Sequence, residues 1–568
     1  MKITRREHVP DQMLEEAVPD PVLRQLLARR GVKDATECFC ELKDLLHFQD
    51  LKNISKAASL IAEAIVKGSR ILVAGDYDVD GLTGTALGVR GLRALGASYV
   101  SRFVPSRYDG GYGLSIEAVD RFIETENIDF IITVDNGISC NEAIAYAKER
   151  GLTVVVTDHH ETLDVLPGAD VIVDPKQPGD EFESKNLCGV GVLFYVLCAV
   201  KAELIDKGFY KDKSFVPNLS EFLDLVALGT IGDVVPLDAN NRRLVKAGFR
   251  RLRDGRCAPG IIALAQVARI KLHNLTTVNI SFDLCPRLNA AGRIQLEDNP
   301  AADLLLTDDF DKALELAARL DMCNRRRGDF ERVALSEAKE DAQAQKGKSA
   351  ITLYRPSWLS GIGGLLAGRI KDTFNVPCFV FSGDGEIISG SARSVPGFGV
   401  AQLLQRIDTT HPGLLIRYGG HAMAAGASIK RTDLDLFRDV FNEEARLCTG
   451  GPQECEILSD GLLPSNYLNL AFALDLEKAG PWGNGFPEPL FDGEFIVEKA
   501  ELLTARHLRL VLISCADGAV IRGIRLWAST SEKAIAEGMR VTVAYTLAVN
   551  RYSGANRLEI HIESISPI

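Results

Sequence analysis

Five short apolar runs do most to limit how this chain can fold. Ile71–Ala74, Tyr99–Val104, Phe130–Val134, Thr153–Thr157 and Val171–Val173 are rich in β-branched and aromatic residues. Helical patterns stand around and between most of them, as in Ala57–Val66, Leu82–Leu95, Ile116–Glu126 and Cys140–Arg150. This alternation over residues 51–235 predicts a mostly parallel sheet covered on both faces. Open sheets of that kind place ligand sites at the carboxyl ends of their strands.

Those ends are acidic. Asp76-Tyr77-Asp78-Val79-Asp80-Gly81 follows the first run, Asp135-Asn136-Gly137 the third and Asp158-His159-His160 the fourth. Asp233 follows a further apolar run, Phe222–Thr230, and is read as another strand end. Alternate strand residues point the same way, so Asp76, Asp78 and Asp80 would gather negative charge on one side. Such a cluster is unfavourable unless a cation neutralises it. A single Asp after a strand is commonly a cap or turn residue. The whole set carries the chemistry. A pair of divalent ions needs several hard carboxylates with one bridging, and imidazole suits Mn²⁺ and similar ions. Asp78, Asp80, Asp135, His159 and Asp233 are the right residue types for such a cage.

The remaining sequence predicts several domains, as 568 residues require. Residues 1–50 read as a helical lead-in and 51–240 as the first α/β lobe. Residues 241–346 form a connecting region, turn-rich at Pro286–Arg293, with a long helix over about 308–344 that would join two lobes. Its Arg325-Arg326-Arg327 cluster reads by default as a solvated helix face, with a channel-facing role as the alternative. Residues 347–449 repeat the α/β pattern and hold the glycine-dense Gly419-Gly420-His421 to Gly426. Thr449-Gly450-Gly451-Pro452 reads as a linker. Residues 455–568 carry five β-rich runs, which predict a small antiparallel barrel of the oligonucleotide-binding type. The fold class is α/β: two α/β lobes joined by a long helix, plus a C-terminal barrel.

Hydrophobic content of 46% and charged content of 25% are ordinary for a globular protein. No apolar run reaches the roughly 18 residues that span a bilayer, and no membrane role is expected. The N-terminus lacks an apolar signal core, and 12 Cys lie scattered without a CxxC pair. A reduced, cytoplasmic setting is expected, without structural zinc. The net charge of −12 does not by itself suggest nucleic acid. No Gly-x-Ser-x-Gly elbow or Walker-type loop occurs.

The Asp158-His159-His160 triplet, with the other acidic motifs in this order, resembles the DHH phosphoesterase superfamily. Gly229–Leu237, Pro286–Arg293 and Pro481-Trp482-Gly483-Asn484-Gly485-Phe486-Pro487-Glu488-Pro489 extend the likeness over residues 70–491 to its single-strand-specific DNA exonucleases. The resemblance implies a 5′→3′ exonuclease that releases mononucleotides from single-stranded DNA in recombination and repair, with water activated by the ions as nucleophile. It implies that Asp78, Asp80, Asp135, His159 and Asp233 bind two Mn²⁺ or Mg²⁺ ions, with Asp135 bridging. His160 would contact the scissile phosphate, and Asp76 and Asp158 would orient their neighbours. In the companion DHHA1 domain, Gly419, Gly420, His421, Ser391 and Arg393 would bind the nucleotide, since glycines admit phosphate to the backbone and arginine offers a fork. Arg287 and Arg293 would hold the 5′ end. Trp527, Tyr545, Tyr552, Arg551 and His507 are candidate barrel platforms. The implied partners are a single-strand-binding protein and a helicase, and the chain is expected to be a monomer. Leu359 departs from the family's His and Trp482 from its Phe; neither touches the proposed cage. Two alternatives remain: a DHH-type phosphodiesterase or pyrophosphatase for small substrates, and a non-catalytic binding module.

Overall fold

The computed structural model describes residues 2–105, 113–162, 165–293, 299–420, 422–449, 456–504, 507–529, 531–551 and 555–568. His421 and Tyr552 lie outside the described residues, as does the 450–452 part of the predicted linker.

The chain opens with a strand, β1 (Lys2–Arg5), where a helical lead-in was expected. Helices do follow, including Pro21–Ala28 with Asp20 as its cap. The first lobe contains β2 (Arg70–Ala74), β3 (Tyr99–Phe103), β4 (Phe130–Val134), β5 (Thr153–Thr157) and β6 (Val171–Val173). All neighbours in the order β3-β2-β4-β5-β6 are parallel. Every residue of β4 is buried, so helices cover both faces of this sheet and its strands are apolar throughout. Val79–Leu95 and Gly189–Asp206 cover one face; Ile116–Glu126 and Asn141–Glu149 cover the other.

Three local readings change. Asp78 and Asp80 are not strand residues: β2 stops at Ala74, and Asp78 caps the Val79–Leu95 helix by accepting from the Asp80 and Gly81 amides. Gly81 lies against the Asp76 backbone so tightly that a Cβ would come within 2.3 Å of the Asp76 nitrogen. The apolar run before Asp233 is a helix, Leu223–Gly232, in which all residues from Leu223 to Ile231 are buried. A helix buried all round has no amphipathic period and is indistinguishable from a buried strand in the sequence. The Pro286–Arg293 stretch is also more helical than expected, with Cys285–Ala290 continuing a wide helical turn at Ile280–Leu284.

A 34-residue helix, Phe310–Gln343, is about 51 Å long. Ala313, Leu316, Ala317 and Leu320 pack into the first lobe, while Ala334, Ala338 and Ala342 pack into the second. Arg325 and Arg327 pair with Asp321 and Glu331 of the same helix. The second lobe holds β7 (Ile351–Arg355), β8 (Cys378–Ser382), β9 (Ile387–Arg393), β10 (Arg417–Gly420) and β11 (Ala424–Lys430), in the order β10-β11-β9-β8-β7. Only β7 and β8 are parallel in it.

β12 (Glu456–Ser459) pairs with β1, tying the chain's start to the barrel region. β13 (Phe491–Thr504), β14 (His507–Ser514), β15 (Val520–Arg525), β16 (Arg540–Asn550) and β17 (Arg557–Pro567) close the barrel in the order β13-β14-β15-β17-β16. Tyr545 is buried in its core, whereas Trp527 is exposed with its ring edge-on to His507 at 5.3 Å. Arg551 is engaged by Glu477.

Candidate metal centre

The carboxyl ends of β2, β4 and β5 bring the acids together, and the end of the Leu223–Gly232 helix adds Asp233. Ligand atoms of Asp76, Asp78 and Asp135 lie within 4.8 Å of one another, and so do those of Asp80, His159 and Asp233. Asp135 stands between the two sets, with its Oδ1 3.0 Å from His159 Nε2. His159 Nε2 is 3.7 Å from both Asp80 Oδ2 and Asp233 Oδ2.

Each side chain is held by local structure. Asp135 adopts a left-handed backbone, φ +59°, in the turn after β4. Asn136 fixes that turn by donating to the carbonyls of Ala74 and Val134 at 3.0 and 2.9 Å. The Asp80 carboxylate accepts from the Gly189 and Val190 amides at 2.5 and 2.8 Å, at the start of the Gly189–Asp206 helix. Gly189 must lack a side chain, because a Cβ there would sit 2.5 Å from Asp135 Cβ. Asp158 is a scaffold: it accepts from the Ile138 amide at 2.9 Å, from the His159 amide at 2.8 Å and from His160 Nδ1 at 2.7 Å.

The electrostatics divide the acids into two kinds. Burial and the charge of Asp78 push the Asp80 carboxyl up to about 7. Burial and neighbouring carboxylates raise Asp135 and Asp233 well above the usual carboxylate range. Burial opposes ionisation of Asp158, yet the hydrogen bond and charge of His160 hold it at about 2. Burial would lower His160, yet Asp158 raises it to about 9. Crowded carboxylates that resist ionisation, beside one imidazole, are a donor set of hard oxygens and nitrogen that a divalent cation satisfies.

Asp174 escaped the sequence reading. It follows β6 directly, and burial lifts its carboxyl to about 8, with a contribution from the Asp158 charge. The signal was the same apolar-run-then-Asp pattern. The backbone contribution of Gly189 and Val190 left no such signal.

The second-lobe candidates occupy one part of its sheet. Gly419 pairs with Gly426 and Gly426 with Ser391, which places them in a row across three strands. Arg393 lies two residues along from Ser391 on β9, so both share a face. Its guanidinium would be 3.0 Å from a Cβ on Gly364, in the first turn of the Gly363–Phe374 helix. Gly420, at φ +139°, lies against Ala424 and Ala425. A path of contacts links this region to the acids. A Cβ on Gly292 would be 3.2 Å from the Tyr77 carbonyl, and a Cβ on Gly361 would be 2.6 Å from the Arg293 carbonyl. Arg287 does not converge on the acids: its Nε and Nη2 each lie 2.9 Å from Asp321, and its Nη1 donates to the Asp283 carbonyl at 2.6 Å. It bridges the Cys285–Ala290 helix to the long helix.

Comparison with known proteins agrees with this architecture. Residues 70–230 match the DHH family, N-terminal domain; 347–447 match the DHHA1 domain; 459–564 match the RecJ OB domain. The chain is 40% identical to the single-stranded-DNA-specific exonuclease RecJ of Salmonella typhimurium, over 100% of this chain and 99% of that protein. The crystal structure of RecJ from Thermus thermophilus in complex with Mn²⁺ superposes with a TM-score of 0.83 at 32% identity, covering 100% of this chain and 80% of that one. The same protein's complex with Mg²⁺ gives 0.77 at 29% identity, covering 99% and 78%. Similarity that runs the full length of the chain, through both lobes and the barrel, shows that it belongs to the RecJ family of single-stranded-DNA-specific exonucleases.

Proposed function

We propose that this chain hydrolyses single-stranded DNA from its 5′ end, releasing mononucleotides, at a centre for two divalent ions, Mn²⁺ or Mg²⁺. The observation that carries this reading is the pair of adjacent ligand sets, Asp76, Asp78 and Asp135 in one and Asp80, His159 and Asp233 in the other, linked by the 3.0 Å contact of Asp135 with His159. Asp78, Asp80, Asp135, His159 and Asp233 hold the ions, with Asp135 shared, and Asp76 joins Asp78 at one of them. The bound ions supply a nucleophilic water at neutral pH and neutralise charge developing on the phosphate.

The chain's own residues do the rest. The Gly189 and Val190 amides fix the direction of the Asp80 carboxylate. Asp158 holds His160 protonated through Nδ1, leaving Nε2–H to donate to a phosphate oxygen. Ser391, Arg393, Gly419 and Gly420 bind the nucleotide from the second lobe, and His421 is a further candidate for that role. Arg293, at the contact between the connecting region and the second lobe, holds the 5′ end. Arg287, already ion-paired, supports that segment.

A closed barrel beyond the second lobe favours a long strand over pyrophosphate or a cyclic dinucleotide, which need no such platform. No helix among the described residues is long and apolar enough to cross a membrane. The described cysteines are all free thiols, which supports a reduced, cytoplasmic setting. A helicase that exposes strands and a protein that coats them are the partner classes this activity calls for. Digestion of end-labelled strands tests the proposal, with 5′ against 3′ label, DNA against RNA, and each metal in turn. Mononucleotides appearing first from the 5′ label on DNA support it; release from the 3′ end, or none with either metal, refutes it.

A further inference from the structure

Val234 follows Asp233 and has φ +63°. A β-branched residue in the left-handed region is strained and persists only where its surroundings compel it. Its own side chain does not, being 59% exposed. The restraint comes from a segment 250 residues away in sequence. Asn484 Nδ2 donates to the Val234 carbonyl at 2.7 Å, and the Leu237 amide donates to the Asn484 carbonyl at 2.7 Å. The two bonds straddle the Val234–Leu237 loop. The flanking glycines let the chain approach: a Cβ on Gly483 would be 2.8 Å from Leu237 Cδ1, and one on Gly485 3.1 Å from Pro236 Cβ.

This brace is rigid in turn. Gly483 and Phe486 exchange backbone bonds of 2.9 and 3.1 Å, with Gly485 at φ +71°, so Asn484 sits at the tip of a tight turn. Phe486 is buried in the first lobe's core. Trp482 stacks on it at 5.0 Å, and the Arg242 guanidinium lies over its ring at 4.1 Å. On the other side of Asp233, its amide donates to the Gly229 carbonyl at 2.8 Å, closing the last turn of the Leu223–Gly232 helix. Asp233 is therefore aimed by a helix end before it and a braced, strained residue after it.

We propose that Asn484 is a positioning residue for the metal centre: it holds Val234 left-handed and so directs Asp233 at the ions, coupling the barrel's lead-in to the first lobe. This rests on the reading of Asp233 as a metal ligand. The test uses the full-length protein. Asn484→Ala should weaken Mn²⁺ binding in calorimetry about tenfold and raise the Mn²⁺ needed for half-maximal hydrolysis equally, with the KM for single-stranded DNA unchanged. Adding Val234→Asn should restore Mn²⁺ binding, because asparagine adopts the left-handed region readily. Wild-type Mn²⁺ affinity in Asn484→Ala would overturn the proposal. So would a loss that Val234→Asn does not repair, which would mark a general packing defect. Asp233→Asn separates the two levels: if it binds Mn²⁺ like wild type, the assignment of Asp233 fails and the brace has no metal to serve.

Discussion

Removing the metal should make this protein's stability fall as pH rises. Asp80 is fully buried, and its carboxyl is raised from 3.8 to about 7 by burial and by Asp78. Above pH 3.8 the unfolded chain ionises this group freely, while the folded chain keeps its proton until about pH 7. The folded state therefore binds more protons across that window, and unfolding becomes easier as pH rises. Between pH 5 and 7, a slope of about 1.4 kcal/mol per pH unit that fades near pH 7 amounts to roughly 2 kcal/mol from Asp80 alone. His160, raised to about 9, and Asp174, raised to about 8, act in the same direction. Asp158, held at about 2, contributes its stability above pH 3.8 and loses it only below that window. For a lobe of this size the expected fall in Tm is about 5–10 °C. Calorimetry of chelator-treated protein at pH 5, 6 and 7 measures it, with Mn²⁺ added in parallel. Mn²⁺ should raise Tm more at pH 7 than at pH 5, since it competes with these protons. Asp80→Asn should flatten the metal-free slope. A metal-free Tm that is constant or rises from pH 5 to 7 would refute the electrostatic account of the centre.

Further predictions address single groups. Asp135→Ala should abolish hydrolysis while circular dichroism stays native, because one ligand set loses a member and the other loses the carboxylate that contacts His159; normal turnover would contradict its shared role. His160→Gln should cut kcat more than about 100-fold and leave Mn²⁺ affinity within a few-fold, so an equal loss of Mn²⁺ in calorimetry would make His160 a ligand. Asp460→Ala removes the carboxylate 2.7 Å from the Arg30 guanidinium, with both side chains 1% exposed, and leaves that buried charge only the Leu26 and Pro487 carbonyls. Denaturant unfolding should show a loss of about 3–5 kcal/mol, and a change under about 1 kcal/mol would refute the burial argument. Trp527→Ala should weaken binding of long strands several-fold in a fluorescence titration without slowing dinucleotide cleavage. An equal effect on both would remove the barrel from strand holding. Deleting the whole barrel region is a poorer test, because β12 pairs with β1 and Phe486 belongs to the first lobe's core.

The sequence alone was enough to show the first lobe's five strands, since apolar runs buried on both faces carry an unmistakable β-rich composition. β4, β5 and β6 begin and end where their runs do. The long helix was legible for the same kind of reason, a proline-free stretch with apolar residues at helical spacing. Its two ends then proved to enter two separate cores. The identity of the acids was legible too, because aspartate after an apolar run is a local signal.

What only the folded chain decided is how those acids are held. Asp78 and Asp80 belong to a helix start, and Asp233 to a helix end that reads as a strand because no face of it meets water. Asp80 takes its direction from backbone amides at Gly189 and Val190, which no side-chain pattern announces. Arg287, a candidate for the 5′ end, is ion-paired to Asp321 of the long helix, a contact no local pattern announces. Asn484, near the barrel, grips the loop that follows an acid in the first lobe. Composition and periodicity report on residues near one another in sequence. Direction, strain and pairing depend on contacts that long loops of chain bring together, and those exist only once the two lobes and the barrel have packed.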